Sequence, residues 1–436
     1  MKGYKGIMEV SLGTEQRVNF LKKFDPEIAG LLERESIKQR KTIGLIASEN
    51  IASPLSMCLE GSIFTNKNTE GYPGKRYVGG TENEDKVELI AIERLKKLFG
   101  CEHANVQSGN ATIANSAVFM GLLKPGDTVL SMSLNDGGHL SHGAKFHFSG
   151  KFYNIVQYGV KPENEYIDMD EVRDLAIKYH PKMIVCGASA YPRLIDYAGF
   201  RKIADEIGAY LWVDAAHVIG LIAGEAIPSP VPYADVVTFS TQKTLRGPRG
   251  CGVILCKNVI KDKIDRGVFP GMQGGPKADM IAARAVLFKE CMTEKYREYQ
   301  KQVVKNAKSL AKGCMDEGLQ LVTGGTDNHL ALVKVTDFVE SGRAAELLLE
   351  SVGIVTNKNL IPFDTLNSNL TSGIRIGSPL MTTRGAKEEE LEHIGHIIGL
   401  TLKNKDNKEK LTWIRKEVGT ITGKYPMFSD EWMPFN

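Results

Sequence analysis

Apolar positions follow two rhythms along the chain, short unbroken runs and longer stretches at helical spacing. From Glu82 to Phe99, the residues Val87, Ile90, Ala91, Leu95 and Leu98 share one helical face, which predicts an amphipathic helix. Beyond it the short runs take over: 128–130, 154–156, 183–186, 211–213, 236–239 and 252–255, each followed or preceded by a helical segment. That alternation predicts an α/β fold, a mostly parallel sheet covered by helices with ligands at its strand ends. After the glycine-rich stretch 270–276, one long helical run is expected from about Lys277 to Glu317. The runs 330–335 and 374–376 then alternate with helices and predict a small α+β C-terminal domain whose elements end near Leu402. The expected division is an N-terminal arm over 1–40, a large domain over 41–300 and the small domain over 301–436. No internal repeat or low-complexity segment interrupts it.

Composition narrows the class. The chain has 436 residues, 42% hydrophobic and 25% charged, enough for a large core. A net charge of +3, with cations spread among acids, argues against a nucleic-acid partner. The start, Met1 to Met8, lacks an apolar signal core, and no apolar stretch is long enough to span a bilayer, so a cytoplasmic location is expected. Seven cysteines without CxxC pairs read as scattered reduced thiols. No pair of histidines has metal-site spacing, so no metal is expected.

The candidate chemistry begins at Lys243, which the apolar run 234–239 delivers to a turn rich in glycine and arginine, Leu245 to Gly250. Burial at a strand end lowers an amine's pKa, and a neutral amine condenses with an aldehyde to give a Schiff base. Asp214 ends an earlier apolar strand. A carboxylate there pairs with a protonated pyridine nitrogen and keeps pyridoxal phosphate an electron sink. The stretch 107–112, with Ala111 and Thr112 opening a helical run, offers N–H groups and a hydroxyl to a phosphate. His139, in a glycine turn, can lie on a cofactor ring, and His217 follows Asp214 closely. Arg375, read as lying at a strand end beside Gly377, can hold a carboxylate through a bidentate pair. Taken singly, each has a plain alternative: a solvated lysine, a helix cap, a histidine bonded to backbone, a structural ion pair.

Together the motifs resemble a known family. Ala47–Asn50, Glu70–Tyr77, Gly137–Gly143, Val213–Leu221, Lys243–Gly250 and Arg375–Pro379, in that order, are similar to the serine hydroxymethyltransferase family. The resemblance implies the aspartate-aminotransferase-like fold, fold type I of the pyridoxal phosphate enzymes, and a homodimer or tetramer with shared active sites. It implies that Lys243 forms the Schiff base, Asp214 pairs with the pyridinium and His139 stacks on the ring. Ala111 and Thr112 would meet the phosphate, joined by Gly275 of the neighbouring subunit. Ser189 and His217 would contact the phenolic oxygen region, with Ser240 and Gln242 also on the cofactor side. Arg375 and Ser48 would hold the carboxylate of a small amino-acid substrate. Glu70, with Tyr77, would come from the second subunit, and Glu70 would manage the proton of the hydroxymethyl group.

Departures from the family pattern fall at the same site. Asn68 and Val78 stand where tyrosines are usual, Gln242 replaces a histidine, Asn110–Thr112 replaces Ser-Gly-Ser, and Phe363 replaces the asparagine that meets the folate pterin. Phe363 predicts weak or absent tetrahydrofolate binding, and Val78 predicts a more apolar pocket. Three readings follow: a serine/glycine hydroxymethyltransferase, a folate-independent paralogue acting on another amino acid as decarboxylase, aminotransferase, aldolase or β-lyase, and a non-catalytic binding protein.

Overall fold

Seven strands form the central sheet of the computed structural model, which describes residues 14–428; the leader expectation for Met1 to Met8 lies outside them, as does the start of the 1–40 arm. In spatial order the strands are His103–Asn105, Gly252–Cys256, Val236–Ser240, Tyr210–Asp214, Met183–Cys186, Thr128–Met132 and Asn154–Tyr158. The last five pair in parallel, and Gly252–Cys256 runs against both of its neighbours. Each short apolar run of the sequence is one of these strands. They lack polar alternation because helices bury both faces.

Residues of one strand divide between two cores by the twofold period of a strand. Ile184, Cys186, Leu211, Val213, Val237 and Phe239 enter the core on one face, whereas Met183, Val185, Trp212 and Val236 enter the other. A fully buried side chain of this kind contributes about 1.5–3 kcal/mol. The helix Glu82–Phe99 lies where the spacing placed it, with Ala91, Leu95 and Phe99 in the first core and Gly100 closing it in the left-handed conformation.

The C-terminal part contains an antiparallel sheet ordered Gln320–Leu321, Leu330–Lys334, Gly373–Gly377 and Asn357–Asn359. Two expectations need correction here. The helical run 277–317 is two helices, Ala278–Glu290 and Glu294–Asp316, because the Thr293 hydroxyl caps the second by accepting from Tyr296 N at 3.3 Å. The elements also continue past Leu402. Asn407 caps a further helix, Lys408–Lys424, which packs Leu411, Ile414, Val418 and Ile421 into the C-terminal core.

The helix Glu294–Asp316 carries Tyr296 into the first core and Leu310, Ala311 and Cys314 into the C-terminal one. Ile43 and Leu45 join the latter, since Ile43–Gly44 pairs in parallel with Ile354–Val355. All seven cysteines are free, Cys58 exposed and the rest buried. Among the described residues, no helix is long and apolar enough to cross a membrane.

Candidate active site

The parallel strands end at a common rim, and the chain places its chemistry there. Asp214 is the last residue of its strand, Lys243 follows Ser240 at the end of the next, and Ser189 lies just past Met183–Cys186. Opposite them the helix Ala111–Leu122 points its N-terminus inward. A cavity of about 160 Å³ results, lined by Asn110, Ala111, Thr112, His139, Ser189 and Asp214, with His217, Gln242 and Lys243 completing the wall. Residues called from scattered segments thus meet in one space.

Lys243 sits against this cavity with its ammonium pushed down to about 8, because burial, with Arg375 and Arg249 nearby, outweighs the attraction of Asp214. An appreciable share of its amine is therefore neutral near pH 7. Asp214 behaves in the opposite way. Burial alone raises a carboxyl, yet His142 Nε2 at 2.9 Å and Asn115 Nδ2 at 2.8 Å both bond its Oδ2, and the Ala216 N–H donates to Oδ1 at 3.0 Å. The sum holds it well below the usual carboxylate range, an anion at any physiological pH. His139 is pushed down to about 4 by burial and by His142, so its ring is neutral.

His142 and Asn115 carried no role in the sequence reading. His142 lies three residues after His139 inside a motif already singled out, which was the available signal. Asn115 is one helical turn from Ala111 on the inward face, fully buried.

The N-terminus of Ala111–Leu122 suits an anion. The Asn110 side chain caps Ile113 N at 2.9 Å, while Ala111 and Thr112 keep their N–H groups at the mouth. On the cavity wall Gln242 Oε1 is buried with no partner among the described residues, and so are Ser108 Oγ, two residues before Asn110, and Ser240 Oγ, at the end of the strand that leads to Lys243. Buried polar atoms without partners are uncommon, and a phosphorylated ligand would satisfy them. The residues present therefore fit pyridoxal phosphate: an amine for its aldehyde, an anion for its ring nitrogen, a helix end and open hydroxyls for its phosphate.

Arg375 is corrected from a strand end to mid-strand: it belongs to Gly373–Gly377 and pairs with Leu332 and Asn357. Its side chain reaches across to the large sheet, where Nη1 donates to Ser189 O at 2.7 Å. Ser48 lies in the segment beside that strand, with Gly377 N bonded to Leu45 O and Ala47 so close that a Cβ on Gly377 would sit 2.7 Å from Ala47 Cα.

Glu70, Tyr77 and Gly275 form a cluster of their own and do not line the cavity of their own chain. A Cβ built on Gly275 would lie 3.1 Å from Glu70 Cγ, and Tyr77 is 72% exposed beside Phe269. Their loop is rigidly held. Arg76 bonds Glu88 at 2.6 Å and Asp85 at 2.8 Å and donates to the carbonyls of Thr69 and Gly71. Asn68 also has a local task, accepting from Glu70 N at 3.1 Å.

Phe363 occupies a left-handed position, φ 58, and is 56% exposed. Asp364 fixes that turn by accepting from Ile361 N, Leu366 N and Ser372. A bulky residue there costs about 1–2 kcal/mol, and asparagine adopts the conformation more readily. Phe363→Asn is therefore expected to raise the denaturant midpoint by an amount equivalent to about 1 kcal/mol and to lower the tetrahydrofolate KM. An unchanged midpoint in urea would count against the strain.

Comparison with known proteins points one way. A family model described as serine hydroxymethyltransferase matches residues 21–398. A relative in Coprothermobacter proteolyticus named serine hydroxymethyltransferase is 53% identical over 412 residues, covering 94% of this chain and 99% of that protein.

Proposed function

Because the chain belongs to the serine hydroxymethyltransferase family, we infer that the cavity around Lys243 is where it interconverts serine and glycine with pyridoxal phosphate. It is a pyridoxal-phosphate-dependent transferase acting on small α-amino acids. The observation that carries the placement is a neutralisable amine and a permanent carboxylate in one buried cavity with an open helix N-terminus, Lys243, Asp214 and Ala111–Thr112. When bound, the cofactor supplies an aldehyde for the amine and a cationic ring that draws electrons from the substrate α-carbon.

The side chains take these tasks. Asp214, kept anionic chiefly by His142, would hold a proton on the cofactor's ring nitrogen. His139, neutral, would lie against the ring; Gln242, whose Oε1 is buried without a partner, lines the same cavity, and Ser240 ends the strand that leads to it. Ala111 and Thr112 bind the phosphate. Ser189 and His217 bond the phenolic oxygen region. Arg375 and Ser48 would orient the substrate by its carboxylate.

Glu70 holds or moves the proton of the substrate hydroxymethyl oxygen, and it does so from a neighbouring subunit together with Tyr77 and Gly275. Two features support this arrangement. The three residues cluster away from their own chain's cavity, and exposed apolar side chains, Phe20, Phe24, Ile28, Leu31 and Leu32, mark the N-terminal helices as a surface for a second copy. A homodimer is the smallest complete unit, with a tetramer as its pairing. The unpaired cysteines fit a cytoplasmic location.

Mixed subunits test the shared site. Lys243→Ala and Glu70→Gln proteins are each expected to be inactive, and a random one-to-one mixture should recover about a quarter of wild-type serine-to-glycine turnover, one intact site in each heterodimer. No recovery in proven heterodimers would place Glu70 in the same chain's site. The paralogue reading has less support than the literal one, since 53% identity spans nearly the whole relative.

A further inference from the structure

His329 carries no task in the account so far, yet it is fully buried at the seam between the two sheets. Its segment is fastened to the large sheet: Asp327 N and Thr326 Oγ1 bond Pro192 O, Asn328 Nδ2 bonds Tyr191 O at 3.0 Å, and Arg193 bonds Asp327. On its other side Ser378 N donates to His329 O at 3.0 Å, just past the strand that carries Arg375. These bonds fix the backbone that carries the ring.

The ring meets His217. His329 Nε2 lies 3.2 Å from His217 Nδ1, and the rings stack at 27° with centroids 5.4 Å apart. Burial pushes His329 down to about 3 and His217 well below its ordinary value, and Lys243 and Arg375 depress both, with His139 adding to the effect on His217. Two neutral imidazoles meeting nitrogen to nitrogen must split into one donor and one acceptor. Which is which decides what His217 offers with its other nitrogen, a donor or a lone pair.

His329 Nδ1 answers the question. It is buried with no hydrogen-bond partner. The Ala47 carbonyl lies near the ring and would favour a proton there, but it does not meet Nδ1 at hydrogen-bond geometry. A buried N–H without an acceptor is rarer than a buried lone pair without a donor, so the proton belongs on Nε2. We propose that His329 is a positioning residue for the reaction: it donates from Nε2 to His217 Nδ1 and so obliges His217 to present Nε2–H, a donor, to the cofactor cavity. The group expected beside His217, a phenolic oxygen, accepts hydrogen bonds. The proposal rests on the cavity being the pyridoxal phosphate site, and it ties that site's hydrogen bonding to the seating of the C-terminal sheet.

The cofactor-loaded wild-type enzyme is assayed first for serine turnover, which checks the underlying reading separately. His329→Phe keeps a flat ring but has no N–H, whereas His329→Gln restores an amide N–H at about the place of Nε2. The Phe variant should weaken glycine binding, read from the cofactor's absorption, by about tenfold and move the pH midpoint of that absorption by about half a unit or more. The Gln variant should return most of both shifts. A Phe variant matching wild type, or a Gln variant displaced as far as Phe, would overturn the proposal. Should the Phe variant fail to melt cooperatively, nitrogen-15 spectra of histidine-labelled wild-type protein decide alone: His217 protonated on Nε2 supports the assignment, and His217 protonated on Nδ1 refutes it.

Discussion

Lys243→Ala is expected to lower serine-to-glycine turnover by about four to six decades while the protein still folds and still retains pyridoxal phosphate through gel filtration. The loss is large because no other amine lines the cavity among the described residues. Folding should survive because the backbone at this position is held by a neighbour, Asn50 Nδ2 on the Lys243 carbonyl at 3.1 Å, and that bond does not use the side chain. Retention should survive because Asp214, His139 and the helix N-terminus at Ala111 remain. Stopped assays on the variant loaded with excess cofactor check the rate. A variant within a hundredfold of wild type would show that another group does the work.

Arg375→Ala should weaken glycine binding, read from the cofactor's absorption, by about two to four decades. Removing one member of a buried charged pair costs about 2–5 kcal/mol. Arg375 is 9% exposed, its ordinary pKa is pushed down to about 10 by burial, and it stays a cation at neutral pH. Since it also holds Ser189 O at 2.7 Å, its loss should loosen the phenolic side of the cavity as well. Arg375→Lys keeps the charge without the planar fork and should fall between the two. A glycine midpoint within threefold of wild type in the Ala variant would remove Arg375 from the substrate site.

The sheet was legible because its strands are short and buried on both faces, so that 183–186 and 211–213 read as unbroken apolar runs. His103–Asn105 was not, being polar and held by pairing with Gly252–Cys256 alone. The break at Thr293 was hidden because helical spacing resumes in phase on its far side and a single hydroxyl makes the new cap. In the site, Lys243, Asp214 and the Ala111 helix end were readable from strand-end position and residue chemistry. Their supports were not. His142, Asn115 and His329 act across 72, 99 and 112 residues of sequence, and a buried polar side chain leaves no periodic trace. The strand that carries Arg375 was readable but its centre was not, since a five-residue strand gives little sign of it.

The departures from the family pattern look different once placed. Asn68 supports the Glu70 loop, and Gln242 keeps Oε1 buried and unpartnered at the cofactor cavity. Neither observation conflicts with serine and glycine chemistry, and whole-chain identity outweighs the departures as a guide to the reaction.

The central claim is that the cofactor's aldehyde is carried by Lys243. Borohydride reduction of the cofactor-loaded protein, followed by digestion and mass mapping, tests it directly. The account predicts one pyridoxyl adduct per chain, on Lys243, with the protein's visible colour lost at the same time; an adduct on any other lysine, or none on a protein saturated with pyridoxal phosphate, would contradict it.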